Sequence, residues 1–356
     1  MKTTAPLTKS QYGIYAECIA HQGEVCYQIT YLYTLDGGVD EQKLKAAIES
    51  AVAAHPTLFT RIGLNEQGDP QQILDDSESF SLEVEHVTDI EAEKQGMTAP
   101  FDLYKDRLFR MRLLKDSQHL YFLINVHHII ADGTSLKVIL DDIDAAYGGK
   151  ALEPEVITLA DVARQEAEKR QTAAFEEDKQ WYAKNFDCSD TFSQLIPDLE
   201  EPTKKIGTLT RKLNVGIDTI EAFREKQGIF KNTLFTGVYG FLMAKYNNEQ
   251  EALFSSIHKG RQNKQLKRTV GMLVKTFPVF VKFSDDTTTL DFLKATQEQI
   301  TGCRTHDSYS FTDVISDLNL QMGSIFSCHG TILDTVEIAG KAAPADDMCY
   351  MSEELP

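Results

Sequence analysis

The chain is poor in the features that mark several large protein classes. Its six cysteines, Cys18, Cys26, Cys188, Cys303, Cys328 and Cys349, are dispersed, with no Cys-x-x-Cys pair and no zinc-type spacing. Neither a disulfide framework nor a structural metal site is implied, and free thiols in a reducing compartment are expected. No cysteine has a neighbour that would lower its pKa, which argues against a thiolate nucleophile. No apolar run reaches the length of a membrane span. Nothing apolar follows Lys2, so no secretory signal is visible. Basic residues are few, 36 Lys and Arg against 54 Asp and Glu, for a formal charge of -18. That balance argues against a nucleic-acid partner, which needs clustered cations, and favours solubility. Phosphate-loop, nucleophile-elbow and dinucleotide fingerprints are missing as well. A soluble, cytoplasmic, monomeric protein without nucleic-acid or membrane partners is the expectation.

At 356 residues, the chain exceeds what one hydrophobic core usually supports, so two lobes are expected. Cys26 to Leu35 reads as a strand ending at Asp36-Gly37-Gly38. A helical stripe follows from Asp40 through Leu44, Ile48 and Val52, and stops at His55-Pro56. Leu108–Leu114 and Leu120–Ile130 read as a hairpin joined by a polar turn. A second amphipathic helix starts near Thr134 and ends at Gly148-Gly149, and a long polar helical stretch runs from Leu159 to Phe186. Asp187 to Gly207, with Pro197 and Pro202, reads as a surface connection. Helices are then expected over Thr233–Tyr246 and Leu290–Ile300, and strands over Ala252–Ile257, Thr276–Phe283 and Ser324–Leu333. Strands and helices in alternation, twice over, point to two α/β sandwich lobes.

The segment richest in chemistry is His127-His128-Ile129-Ile130-Ala131-Asp132-Gly133, where the second hairpin strand meets the next helix. Side chains alternate across a strand, so His128 shares a face with Val126 and Ile124, and His127 with Asn125 and Leu123. Adjacent histidines cannot both reach one atom, and one of them is structural. Asp132 suits a helix cap or a buried cation, and Gly133 permits an unusual torsion or a close approach. Two satisfied interior histidines are an alternative that the residues alone leave open. A metal site is disfavoured because the histidines diverge and no third is placed to help. Histidine acid–base chemistry is the best surviving reading.

This segment matches the His-His-x-x-x-Asp-Gly signature of the condensation-domain superfamily, the amide-forming acyltransferases of nonribosomal peptide synthetases. Other segments resemble further motifs of that family in the same order: Leu7 to Tyr15, Ala54 to Arg61, Pro100 to Leu103 with Leu108-Phe109-Arg110, Gly260-Arg261, and Val270 to Pro278. The resemblance implies two chloramphenicol-acetyltransferase-like α/β lobes forming a V-shaped pseudodimer, residues 1–174 and 175–356, the second truncated relative to the family. It makes His128 catalytic, with His127, Asp132, Gly133 and Arg61 structural. Arg61 stands in as the cation for Asp132, because Phe59 occupies a position where the family often has arginine. Gly271, Met272 and Lys275 (the last replacing a usual asparagine) become substrate-tunnel candidates, and Arg261, Lys264, Lys267 and Arg268 candidates for docking an acidic carrier domain.

The implied reaction joins a donor acyl or peptidyl thioester to the amine of a carrier-bound amino acid. No cofactor is held by the domain itself. The substrates arrive on the 4'-phosphopantetheine of donor and acceptor carrier domains, or as acyl-CoA in an initiating, N-acylating variant. A neighbouring adenylation domain completes the expected partners. The rivals are an epimerisation domain, which usually carries Ser-Trp where Thr134-Ser135-Leu136 stands, a free-standing acyl-CoA transferase, and a non-catalytic scaffold.

Overall fold

The computed structural model describes residues 2–23, 25–75, 77–188, 190–195, 207, 209–328, 333 and 335–347. Two compact units emerge, and neither is a continuous stretch of chain. The first comprises Met1–Ala167, Arg261–Leu273 and Thr331–Pro356, and the second Glu168–Gly260 and Val274–Gly330. The expected single division at 174/175 is therefore corrected. The helical stretch after Leu159 is two helices interrupted at 170–172, the division falls at 167/168, and two later segments return to the first unit.

The chain opens with β1 (Lys2–Pro6), α1 (Lys9–Ala20), β2 (Gln28–Leu35) and α2 (Glu41–Ala54). Thr8 and Gln11 form a capping box at α1, and the Asp40 side chain accepts the Lys43 N–H at the start of α2. There follow β3 (Thr60–Leu64), β4 (Pro70–Asp75), β5 (Val84–His86), α3 (Ile90–Met97), β6 (Phe109–Lys115), β7 (Leu120–His127), α4 (Gly133–Tyr147) and α5 (Leu159–Lys169). The second unit adds α6 (Ala173–Asn185), α7 (Ile217–Gln227), α8 (Lys231–Tyr246), β8 (Glu251–His258), β9 (Lys275–Lys282), α9 (Thr289–Thr305), α10 (Phe311–Asp317) and β10 (Ile325–Phe326). The hairpin β11 (Thr335–Ile338) and β12 (Lys341–Asp347) closes the series.

In the first unit, a six-stranded sheet runs β11-β12-β2-β7-β6-β5, beside a small sheet β1-β4-β3. The partners of β7 are antiparallel, with Gln28↔His127 to Leu35↔Leu120 on one side and Phe109↔Val126 to Lys115↔Leu120 on the other. All eight residues of β7 are buried. Leu120, Phe122, Ile124 and Val126 enter the main core with Leu44 and Ile48 of α2 and Leu136, Ile139 and Ile143 of α4. Tyr121 and Leu123 face a smaller cluster with Leu32, Met97 and Leu114. The alternation read from the sequence is the one observed.

The second unit has a three-stranded sheet, β10-β8-β9. Its core joins Phe254, Val279 and Val281 to Met243 of α8 and Phe292 and Ile300 of α9. Within the strand expected over Ser324–Leu333, the described residues form a strand at Ile325–Phe326, and residues 329–332 lie outside the described residues. Among the described residues no helix is long and apolar enough to cross a membrane.

Candidate active site

β7 is a central strand pinned on both edges, so its end is a fixed point, and His127 is its last residue. The His127 Nδ1 accepts the Ile129 N–H at 3.1 Å. The ring's proton is therefore on Nε2, which faces Cys18 Sγ at 3.8 Å. Phe101 meets the ring edge-on at 5.9 Å, and the Arg110 guanidinium covers the other ring at 3.7 Å from its centroid. Burial, with a smaller contribution from His128, pushes His127 down to about 3. It stays neutral at any ordinary pH and serves as packing.

His128 follows the strand in a turn, its backbone N–H bonded to the Tyr27 carbonyl at 2.7 Å. Its Nδ1 is enclosed with no hydrogen-bond partner, while the side chain as a whole keeps partial exposure. Burial lowers its pKa, and the charge of Asp132 only partly opposes this. The imidazole is thus neutral at pH 7, the state a proton acceptor needs.

Asp132 is fully buried and carries both roles the sequence allowed. As the N-cap of α4 it accepts the Ser135 N–H at 2.9 Å, and it forms a bidentate pair with Arg261, Nη1 to Oδ2 at 2.7 Å and Nη2 to Oδ1 at 2.9 Å. It also accepts the Leu273 N–H at 3.1 Å. Ser135 Oγ, itself buried, accepts the Gly271 N–H at 3.0 Å and an Arg261 N–H at 2.9 Å. Asp132 and Ser135 therefore fasten residues 261–273 to the corner behind His128.

This corrects two expectations. Arg61 is not the cation for Asp132: its Nη1 lies 2.6 Å from Glu78 Oε1. Phe59 instead packs edge-on against Phe109 beneath Arg107. Arg261 is not available for docking either, since its side chain is only 4% exposed. Arg268 is likewise engaged, with Nη2 2.8 Å from both Asp142 oxygens, although much of its side chain remains exposed. Lys264 and Lys267 are exposed on the short turn Lys264–Arg268.

Gly133 takes an ordinary negative φ at the first position of α4, and an added Cβ would meet only Leu333 Cδ1, at 3.8 Å. Neither special torsion nor close approach explains it. Gly271 is the tight position, because a Cβ there would lie 2.9 Å from Leu159 Cδ1. Met272 packs partly buried against the main core. Lys275 belongs to the second unit, where its Nζ bonds the Asp307 carbonyl at 2.9 Å.

Sequence reasoning missed a second anchor of the same segment. Asp142 of α4 is 2.8 Å from His55 Nε2 as well as from Arg268. Burial alone would raise its pKa, but the bonds from His55 and Arg268 outweigh that and hold it low. Beside it, Glu155 accepts the Val270 N–H at 2.6 Å and the Thr57 hydroxyl at 3.0 Å. Burial, with a smaller contribution from Asp161, outweighs these bonds and pushes Glu155 up to about 7. Only the pairing of distant segments could reveal this cluster. Among the described residues no group of three or more His, Cys, Asp or Glu side chains is placed to hold a metal.

The comparisons agree with this arrangement. The Condensation domain family model matches residues 1–329. Tyrocidine synthase 3 of Brevibacillus parabrevis is 27% identical over 327 residues, 89% of this chain and 5% of its own length. Surfactin synthase subunit 1 of Bacillus subtilis is 25% identical over 327 residues, 88% of this chain and 9% of its own. The chain thus spans a small part of these relatives. Among solved structures, a starter condensation domain of rhizomide synthetase, crystallised with C8-CoA and Leu-SNAC, superposes with a TM-score of 0.77 at 17% identity. That likeness covers 98% of this chain and 83% of the other. With its motif corner assembled as described and its match to the family model running from residue 1 to 329, the chain belongs to the condensation-domain family.

Proposed function

We propose that this chain forms amide bonds, with His128 as the general base. The amine of an acceptor aminoacyl thioester attacks the donor thioester carbonyl. The new C–N bond forms, the C–S bond breaks, and the proton leaving the amine passes through His128 to the departing thiolate. The observation that carries the reading is a neutral, half-buried imidazole on a fixed corner, with Nδ1 enclosed. A thioester is already activated, so alignment does most of the work, up to about 7–11 kcal/mol in favourable cases. Base assistance adds about 10²–10⁴-fold.

The donor is an acyl or peptidyl group on phosphopantetheine, or an acyl-CoA, and no cofactor resident in the domain is needed. Donor and acceptor carrier domains and an adenylation domain are the proposed partners, with the exposed Lys264 and Lys267 facing an acidic carrier.

The test incubates the protein with an acyl-loaded carrier or C8-CoA as donor, and with an aminoacyl carrier or leucyl N-acetylcysteamine thioester as acceptor. Product is read by mass spectrometry for wild type and His128→Ala. Amide formation lost by about 10²-fold or more in the variant supports the reading. Full turnover in His128→Ala overturns it. The productive donor separates carrier-fed elongation from CoA-fed initiation, and no product from any pair of a folded protein points to a scaffold.

A further inference from the structure

The His128 backbone N–H bonds the Tyr27 carbonyl, and the placement of its ring depends also on what fixes the residue after it. Ile129 has both of its peptide groups engaged by buried side chains. Its N–H is taken by His127 Nδ1 at 3.1 Å, and its carbonyl accepts the Gln11 Nε2–H at 3.0 Å. Gln11 is wholly buried on the first turn of α1. Its other end accepts the Thr8 N–H at 3.0 Å, while the Gln11 N–H bonds Thr8 Oγ1 at 3.1 Å. The amide therefore cannot rotate without losing a bond at each end, because Oε1 cannot donate and Nε2 cannot accept. The distance in sequence between the partners is 118 residues, so this contact belongs to the fold and not to the local turn.

We propose that Gln11 is a positioning residue for the reaction: it fixes the Ile129 carbonyl and, through it, the depth and orientation of the His128 imidazole. This rests on His128 acting as the base. Gln11 is wholly buried, and both ends of its amide are taken by the chain itself. A capping-box residue of α1 is thereby tied to the turn that follows β7 and carries His128.

The test uses 15N-histidine-labelled full chain, with the His128 resonance assigned from His128→Gln. Its titration is followed in wild type, in Gln11→Met, which is near in size and makes neither bond, and in Gln11→Glu, which keeps an acceptor for Thr8 but presents no donor to Ile129 when ionised. Turnover of C8-CoA with leucyl N-acetylcysteamine thioester, or of the productive pair found with wild type, is measured alongside. The expected result is that His128 titrates at higher pH in Gln11→Met, nearer an exposed histidine, and that kcat falls about tenfold or more with KM little changed. In Gln11→Glu, kcat recovers as the pH is lowered and the new carboxyl becomes a donor, a recovery that general destabilisation would not give. An unmoved His128 titration with wild-type kcat in either folded variant overturns the inference. Full turnover of His128→Ala removes the base assignment and this inference with it. A dead His128→Ala beside an unaffected Gln11 variant removes this inference alone.

Discussion

Arg261→Ala is expected to destabilise the unit that carries His128 by about 3 kcal/mol. Asp132 is fully buried and the Arg261 side chain nearly so, with two bonds of 2.7 and 2.9 Å between them. Breaking such a pair from one side strands a charge and costs about 3–5 kcal/mol. The lower end applies here, because Asp132 keeps the Ser135 and Leu273 N–H donors after the guanidinium is gone. Asp132→Ala should cost more, since it also removes the cap of α4, worth about 1 kcal/mol. Removing both charges together should cost less than the sum of the single changes, by about 0.5–3 kcal/mol for groups in direct contact. The control is Arg61→Ala, whose ion pair with Glu78 is partly exposed on both sides and should be worth at most about 1 kcal/mol. Urea unfolding monitored by hydrogen exchange in α4 peptides isolates this unit. With a slope of about 2 kcal/mol/M, the Arg261→Ala midpoint should fall by about 1.5 M. A wild-type midpoint for Arg261→Ala, or a larger drop for Arg61→Ala, refutes the assignment of the buried pair.

Two further predictions concern pH. His127 binds its proton only near pH 3 when folded but at about 6.5 when unfolded, so stability is lost as pH falls below 6.5. Between pH 7 and 5 that loss is about 2 kcal/mol, and His127→Gln should flatten this part of the stability–pH curve in chemical denaturation. If the curve is unchanged, the burial argument fails. Glu155 has the opposite sign: its folded pKa, about 7, lies above the unfolded value, so its contribution is greatest below the unfolded pKa and is lost as pH rises through 7. It offsets His127 over the same window. Glu155→Gln should therefore lose about 2 kcal/mol more than wild type on going from pH 7 to 5, and equal losses in the two proteins would overturn the assignment.

The elements that the sequence announced are those whose determinants are local. The stripe Leu44, Ile48, Val52 and the cap Asp40 specify α2, and the alternation along Leu120 to Val126 specifies β7 and which residues face each core. The divergence of His127 and His128 follows from that alternation alone, and so does the argument that only one of them is free for chemistry. Local signals were weaker where the hydrophobic pattern was not periodic: β1, β3, β4 and the β11–β12 hairpin went unread, and the stretch after Leu159 looked like one helix instead of two.

What only the tertiary structure decided is which distant groups meet. A buried carboxylate demands a cation, and sequence chemistry shows that demand at Asp132 without saying which of several arginines meets it. Arg61 was nearest to the expected motif position, yet Arg261, 129 residues away, has the geometry. The same holds for Gln11 on Ile129 and for Glu155 on Val270. Periodicity fixes the face a side chain occupies, because backbone geometry repeats over a few residues. Long-range pairing depends on how the chain returns to itself, as residues 261–273 return to the first unit, and no spacing within a segment encodes that return.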